Sequence, residues 1–221
     1  MSKRELLDSL TIALNKRAWT FLDAPVFGAA AVYFQKWNGL ILLAGIEFSR
    51  VYKQRFTCSL YLSRSFHWAY ILPGFPNEAF RRIGNFITYT ERTAYFEVEF
   101  CAQGVIDAWW IGFNNSNRDL FLEALDIAKP RFLGQNCLAE QVLGCVELQR
   151  HVEMCDRVRQ SVFTISNMPV VITHQPARLR QEIDLKWYWA AEVVLREYEP
   201  KLVSRKYVEL LAVDAWRHQN L

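Results

Sequence analysis

Arg55-Phe56-Thr57-Cys58-Ser59-Leu60-Tyr61-Leu62-Ser63 alternates apolar and polar side chains with a period of two, as a β-strand does when its successive residues face opposite sides of a sheet. Phe56, Cys58, Leu60 and Leu62 fall on one side, and Thr57, Ser59, Tyr61 and Ser63 on the other. Similar alternation predicts strands near Ala31–Trp37, Gly39–Arg50, Thr93–Cys101 and Ala108–Phe113. Asn38-Gly39 is a strong signal for a tight hairpin turn, and Val51-Tyr52-Lys53-Gln54 supplies a polar connection. These segments predict an antiparallel sheet.

The second face of that sheet is expected to mix rings with carboxylates. Tyr33, Trp37, Tyr61 and Tyr95 recur there beside Glu47, Glu97 and Glu99, a mixture that suits a protein-recognition surface. The alternative is that the C-terminal helices cover this face and its tyrosines are inner core. A second candidate surface is the segment His67–Phe75, with Trp68, Tyr70 and Phe75, followed by Arg81 and Arg82.

Helices are expected on either side of the strands. Ser2-Lys3-Arg4-Glu5 has the form of a capping box, and Leu6, Leu7, Leu10 and Leu14 give the helix after it an apolar stripe. Pro73-Gly74 and Pro76 mark a loop, after which Asn77 would cap a short helix through Phe80 and Ile83. Asn114-Asn115-Ser116-Asn117 supplies a turn and a cap for a helix carrying Phe121, Ala124, Leu125, Ala128 and Phe132 on one side. From Leu138 a single long helix is expected, with Leu138, Val142, Cys145, Val152 and Cys155 in its stripe. An extended stretch is expected over Ser161–Thr173, and further helices after Pro176 and Pro200. The fold class is α+β: an antiparallel sheet flanked by helices over residues 1–135, with a mainly helical extension, 136–221, packed on it.

Twenty-six Lys and Arg against 23 Asp and Glu leave a formal charge of +3, too balanced to demand a polyanionic partner. The surplus is local: residues 1–135 hold 15 basic and 12 acidic side chains, and residues 136–221 hold 11 of each. Five cysteines fit reduced thiols of a cytoplasmic protein. No apolar run approaches the ~20 residues of a membrane span, and Met1–Leu6 lacks a secretory leader's apolar stretch.

Catalytic signatures are weak. Cys145, His151 and Cys155 are the one close Cys/His grouping, without a second pair at zinc-ligand spacing, so no metal is expected and the thiols read as structural. Ser63 and Ser65 near His67 carry no nucleophile signature. No glycine-rich phosphate loop is present, and no cofactor is expected. Glu47, Glu97 and Glu99 could line the pocket of an enzyme, or be solvated positions pairing with Arg55. Arg50, Lys53, Arg55, Arg81 and Arg82 near Trp68 and Tyr70 could bind nucleic acid, against which the charge balance argues.

The order of a short amphipathic helix, three alternating strands, the Pro73-Gly74 loop, another strand, and Trp109-Trp110 leading into a helix that ends near Pro130-Arg131-Phe132-Leu133 resembles a bacterial family of unknown function. Its members in turn resemble immunity proteins of polymorphic toxin systems. The likeness spans roughly residues 3–135. It implies a small cytosolic, non-enzymatic binder that blocks a cognate toxin domain by occlusion, with aromatic anchors and orienting acidic residues. The mild positive charge departs from the acidic character of nuclease inhibitors and implies a toxin acting on something other than nucleic acid.

Overall fold

Ser2 opens the first helix as its spacing predicts: its hydroxyl accepts from the Glu5 amide at 3.2 Å, and the Glu5 carboxylate accepts from the Ser2 amide at 2.6 Å. The structure, a computed structural model, describes residues 1–22, 29–67, 79–87, 97–102, 105–164 and 183–221, with backbone only for 97–102 and 105–108. Helix α1, Lys3–Asn15, buries Leu6, Leu10 and Leu14. Ala18, at φ 60°, turns the chain into β1, Thr20–Leu22.

The sheet continues with β2 (Ala31–Trp37), β3 (Leu40–Phe48), β4 (Arg55–Ser63), β5 (Phe80–Arg82), β6 (Glu97–Ala102) and β7 (Val105–Ile111). All pairings are antiparallel in the order β1-β2-β3-β4-β7-β6, with β5 also on β4. Asn38 and Gly39 both take positive φ, 48° and 77°, which the two-residue turn between β2 and β3 requires.

Register fixes the faces. Tyr33 stands opposite Ala44, and Ala44 opposite Leu60, so these three share a face with Phe56 and, across to β7, Trp110. Helix α1 lies on this face, where Tyr33 Oη and Thr11 Oγ1 are 2.9 Å apart. Helix α2, Asn115–Leu133, lies there too, capped by the Asn114 side chain. Its Phe121 meets Phe56 and Trp110 edge-on at 6.0 and 5.3 Å between centroids, and Phe132 meets Phe86 at 5.4 Å. The α+β class follows from these contacts.

Three expectations need correction. Phe80–Arg82 is a strand, followed by a 3₁₀ turn over Ile83–Phe86, because β4 offers backbone partners at Ser59–Tyr61. The single long helix is broken at Gly144-Cys145 into α3, Leu138–Leu143, and α4, Val146–Thr164. The buried stripe of α4 is therefore Leu148, His151, Cys155, Val158 and Val162 rather than one through Val152, and Ser161–Thr164 is helical. The remainder of the expected extended stretch, 165–173, lies outside the described residues.

The described residues divide into two compact units. The first holds Met1–Ser63 and the described part of Phe75–Gly144; the second holds Arg64–His67 and the described part of Cys145–Leu221. In the second, α4 packs with α5 (Leu185–Tyr198) and α6 (Arg205–Asn220), capped by Asp184 and Ser204. Their shared core includes Cys155, Val158, Trp187, Tyr188, Val194, Leu211 and Ala215. Among the described residues, no helix is long and apolar enough to cross a membrane.

Candidate functional site

The expected sheet-face surface is not one surface. Tyr33 and Trp37 share the Leu60 side of the sheet, whereas Tyr61 and Glu47, opposite Leu43 and Thr57, belong to the other. Tyr33 and Tyr61 are both buried, as are Thr57, Ser59 and Ser63, so the polar side of β4 is as dry as its apolar side. Trp37 is half-buried beside the Asn38-Gly39 turn. Tyr95 lies outside the described residues; Glu97 stands opposite Trp109 in the register, and Glu99 falls at the register shift between Val98 and Phe100. That shift interrupts the alternation from which a shared Glu97/Glu99 face was expected.

Glu47 has a local partner. Its carboxylate accepts from Ser59 Oγ at 2.8 Å and lies 3.1 Å from Arg82 Nη1. Arg82, rather than Arg55, is the cation that meets it, because β5 places Arg82 directly opposite Ser59. The Arg82 guanidinium also lies over the Trp109 ring at 5.5 Å. Of the second candidate surface, Trp68, Tyr70 and Phe75 lie outside the described residues, and Arg81 is half-buried with Nη1 donating to the Phe80 carbonyl at 2.9 Å.

An open surface exists elsewhere on the first unit. A groove of about 790 Å³ runs between α1 and the β1–β2 edge, lined by residues including Leu7, Thr11, Ile12, Phe21, Ala31 and Phe48. Ile12 is 62% and Phe21 43% exposed. Lys3, Arg4 and Asp8 border it. Lys3 also lines an adjoining cleft of about 410 Å³ at the β3–β4 turn, with Arg50, Lys53, Arg55 and Tyr52. The two share a wall: Lys3 sits over the Phe48 ring at 5.0 Å, and Phe48 packs edge-on against Phe113 of the cleft at 5.3 Å. Among the described residues, the joint surface carries five cations, Lys3, Arg4, Arg50, Lys53 and Arg55, against one carboxylate, Asp8. Its sequence signal is Ile12, an isoleucine off the Leu6-Leu10-Leu14 stripe.

The second unit holds a buried polar cluster. Asp214 Oδ1 accepts from the Phe66 amide at 2.8 Å, and Oδ2 accepts from His151 Nε2 at 2.7 Å. Cys155 Sγ lies 3.6 Å from His151 Nε2 and 3.8 Å from Asp214 Oδ2. His67 Nε2 donates to the Leu210 carbonyl at 2.8 Å. His151 and Asp214 are wholly buried. Burial alone would raise the Asp214 carboxyl's affinity for a proton, but the hydrogen bond from His151 and the neighbouring histidines outweigh it and hold the group well below the usual carboxylate range. Burial pushes the Cys155 thiol up, with the Asp214 charge adding to it. Burial also lowers His67 to about 4, against the pull of Asp214.

No known protein family matches the chain, and no characterised protein or solved structure matches it. Function therefore rests on the two sites.

The cluster has the atoms of a Cys-His-Asp nucleophile, but a nucleophilic cysteine needs a thiolate and an approach for substrate. Cys155 is wholly buried and held as the thiol. Sequence alone hid the cluster because its members are far apart in the chain. Its sequence signals are the His151/Cys155 pair at i,i+4 spacing and Asp214, a carboxylate three residues after Leu211 on the buried side of α6.

Proposed function

We propose that the chain is a non-enzymatic protein-binding module of the immunity type, which seats a cognate toxin domain on the groove and cleft of its first unit and blocks it by occlusion. The observation that supports this reading is the joint surface itself: exposed Ile12 and Phe21 beside a cleft bearing Lys3, Arg50, Lys53 and Arg55. Apolar anchors supply the area removed from water, and a rim of one sign steers a partner of the opposite sign. The partner this chemistry fits is an acidic protein surface with a protruding apolar side chain. An acidic partner is unlike a nuclease, which carries positive charge toward its substrate.

The test uses the full chain and a purified toxin domain encoded beside it. Calorimetry should give a 1:1 complex. Ile12→Asp and Phe21→Asp should each raise Kd at least tenfold, and Arg50→Glu with Lys53→Glu should slow association and flatten its salt dependence. Lys201→Glu, an exposed change on the second unit, should leave binding as it was. Cells producing the toxin should survive with the parent chain and not with Phe21→Asp. Binding unchanged in all groove variants would overturn the assignment of the surface, and no complex at micromolar concentrations would overturn the function. Nucleic-acid binding at the cleft would show instead as a steep fall in oligonucleotide affinity with salt; Arg55 already lies against the Tyr52 ring at 4.2 Å.

A further inference from the structure

We propose that His151, Cys155, Asp214 and His218 of the second unit form a binding site for a zinc-class divalent transition-metal ion. The four donors are two pairs at i,i+4 spacing, His151 with Cys155 on α4 and Asp214 with His218 on α6. Residues four apart lie one above the other on a helix face, so the packed helices bring His151, Cys155 and Asp214 to one point, and His218, one turn beyond Asp214, would join them as fourth donor by a side-chain shift.

Distances support the assignment. Donors around a tetrahedral zinc, with bonds of about 2.0–2.3 Å, stand about 3.3–3.7 Å from one another. Cys155 Sγ is 3.6 Å from His151 Nε2 and 3.8 Å from Asp214 Oδ2, and these three donor atoms all lie within 4.8 Å of one another. His218 Nε2 is 3.9 Å from Asp214 Oδ2 and, though that atom is buried, has no hydrogen-bond partner among the described residues. The His151–Asp214 separation of 2.7 Å is that of a hydrogen bond; an ion inserted there would widen it by about half an ångström.

Charge and proton balance also close. A thiolate and a carboxylate neutralise the two charges of the ion, which suits a dry interior. Binding releases one proton to solvent, from Cys155 Sγ. The proton on His151 Nε2 is replaced by one on Nδ1, which is buried and has no partner among the described residues, so the imidazole binds neutral through Nε2. A mixed sulfur, nitrogen and oxygen set selects zinc or cobalt over magnesium and calcium. In the sequence only half of this site is visible, because Asp214 and His218 lie about sixty residues beyond His151 and Cys155.

The test is a titration of the full chain, carrying Cys137→Ala and Cys145→Ala to remove two other thiols, with Co²⁺ after chelator treatment. One equivalent should bind, giving the strong visible bands of a tetrahedral site and a thiolate-to-cobalt charge-transfer band, and Zn²⁺ should displace it. Cys155→Ala should abolish the charge-transfer band, and His218→Ala should raise the Co²⁺ dissociation constant at least tenfold. As a check that needs no variant at the site, zinc-edge X-ray absorption of the loaded chain should show one sulfur at about 2.3 Å and three nitrogen or oxygen neighbours at about 2.0–2.1 Å. A tetrahedral spectrum that persists in Cys155→Ala, or no stoichiometric binding of either metal, would overturn the site.

Discussion

His151 Nε2 and Asp214 Oδ2 are 2.7 Å apart with no solvent on either side chain, and the same carboxylate holds the Phe66 amide at 2.8 Å. One side chain of α6 thus ties α4 and the Arg64–His67 segment into the second unit. Removing the shared acceptor leaves two buried donors, the His151 ring N–H and the Phe66 amide, unsatisfied, at a cost of about 1–3 kcal/mol each. Asp214→Ala should therefore destabilise the second unit by about that much, and Asp214→Asn, which keeps an acceptor oxygen, by less. Urea unfolding followed by circular dichroism measures both. A loss below about 0.5 kcal/mol in Asp214→Ala would show that the pair contributes nothing net.

The same cluster makes stability pH-dependent. His67 is lowered from 6.5 to about 4, with burial as the main cause and Arg217 and His151 adding to it against Asp214. The unfolded chain therefore binds this proton more readily than the folded one, and stability is lost as pH falls from about 6.5 to about 4. Asp214, whose folded value is depressed, extends the loss below pH 4 with the same sign. Full burial would make the His67 contribution up to about 3 kcal/mol; the partial exposure of the ring reduces it. His67→Gln, which can still donate to the Leu210 carbonyl, should flatten the unfolding free energy between pH 6.5 and 4. An unchanged slope in that variant would rule out His67 as its source.

Much of the fold was legible because local signals agreed with the final packing. Ser2 and Glu5 cap α1, Asn38-Gly39 turns β2 into β3, and Phe121, Ala124, Leu125, Ala128 and Phe132 all face inward on α2. Where the reading failed, a distant partner decided. Phe80–Arg82 has no strand signal of its own and is extended because β4 offers it an edge. Tyr33 and Tyr61 share a parity within their own strands that does not survive pairing through Ala44 and Leu43. The groove depends on which side of α1 the sheet leaves uncovered, and the buried cluster depends on bringing Asp214 to His151. Periodicity carries neither fact.

The aromatic stack beneath α2 should set the stability of the first unit. Phe121 is wholly buried and meets both Phe56 and Trp110, which are themselves stacked at 5.4 Å. Phe121→Ala removes a ring from a close-packed site and should cost about 3–5 kcal/mol. Phe121→Leu should cost less, because it refills part of the volume. The readout is the denaturant midpoint of Trp110 fluorescence, and a midpoint insensitive to both changes would mean that α2 is not part of the cooperative core.

Glu47 separates a structural role from a recognition role. Its carboxylate, 18% exposed, is held by Arg82 and Ser59 within the sheet, so it is oriented inward by strand neighbours rather than presented to a partner. A partly exposed ion pair of this kind is worth about 0.5–1.5 kcal/mol, and neighbours in one network are not additive. Glu47→Gln and Arg82→Gln should each lower stability by that order, with the double variant losing less than the sum. Neither should change affinity at the groove, which is formed by α1 and the β1–β2 edge. If Glu47→Gln instead weakened partner binding tenfold while leaving the unfolding midpoint unchanged, the carboxylate would be a contact residue and the sheet face, not the groove, the recognition surface.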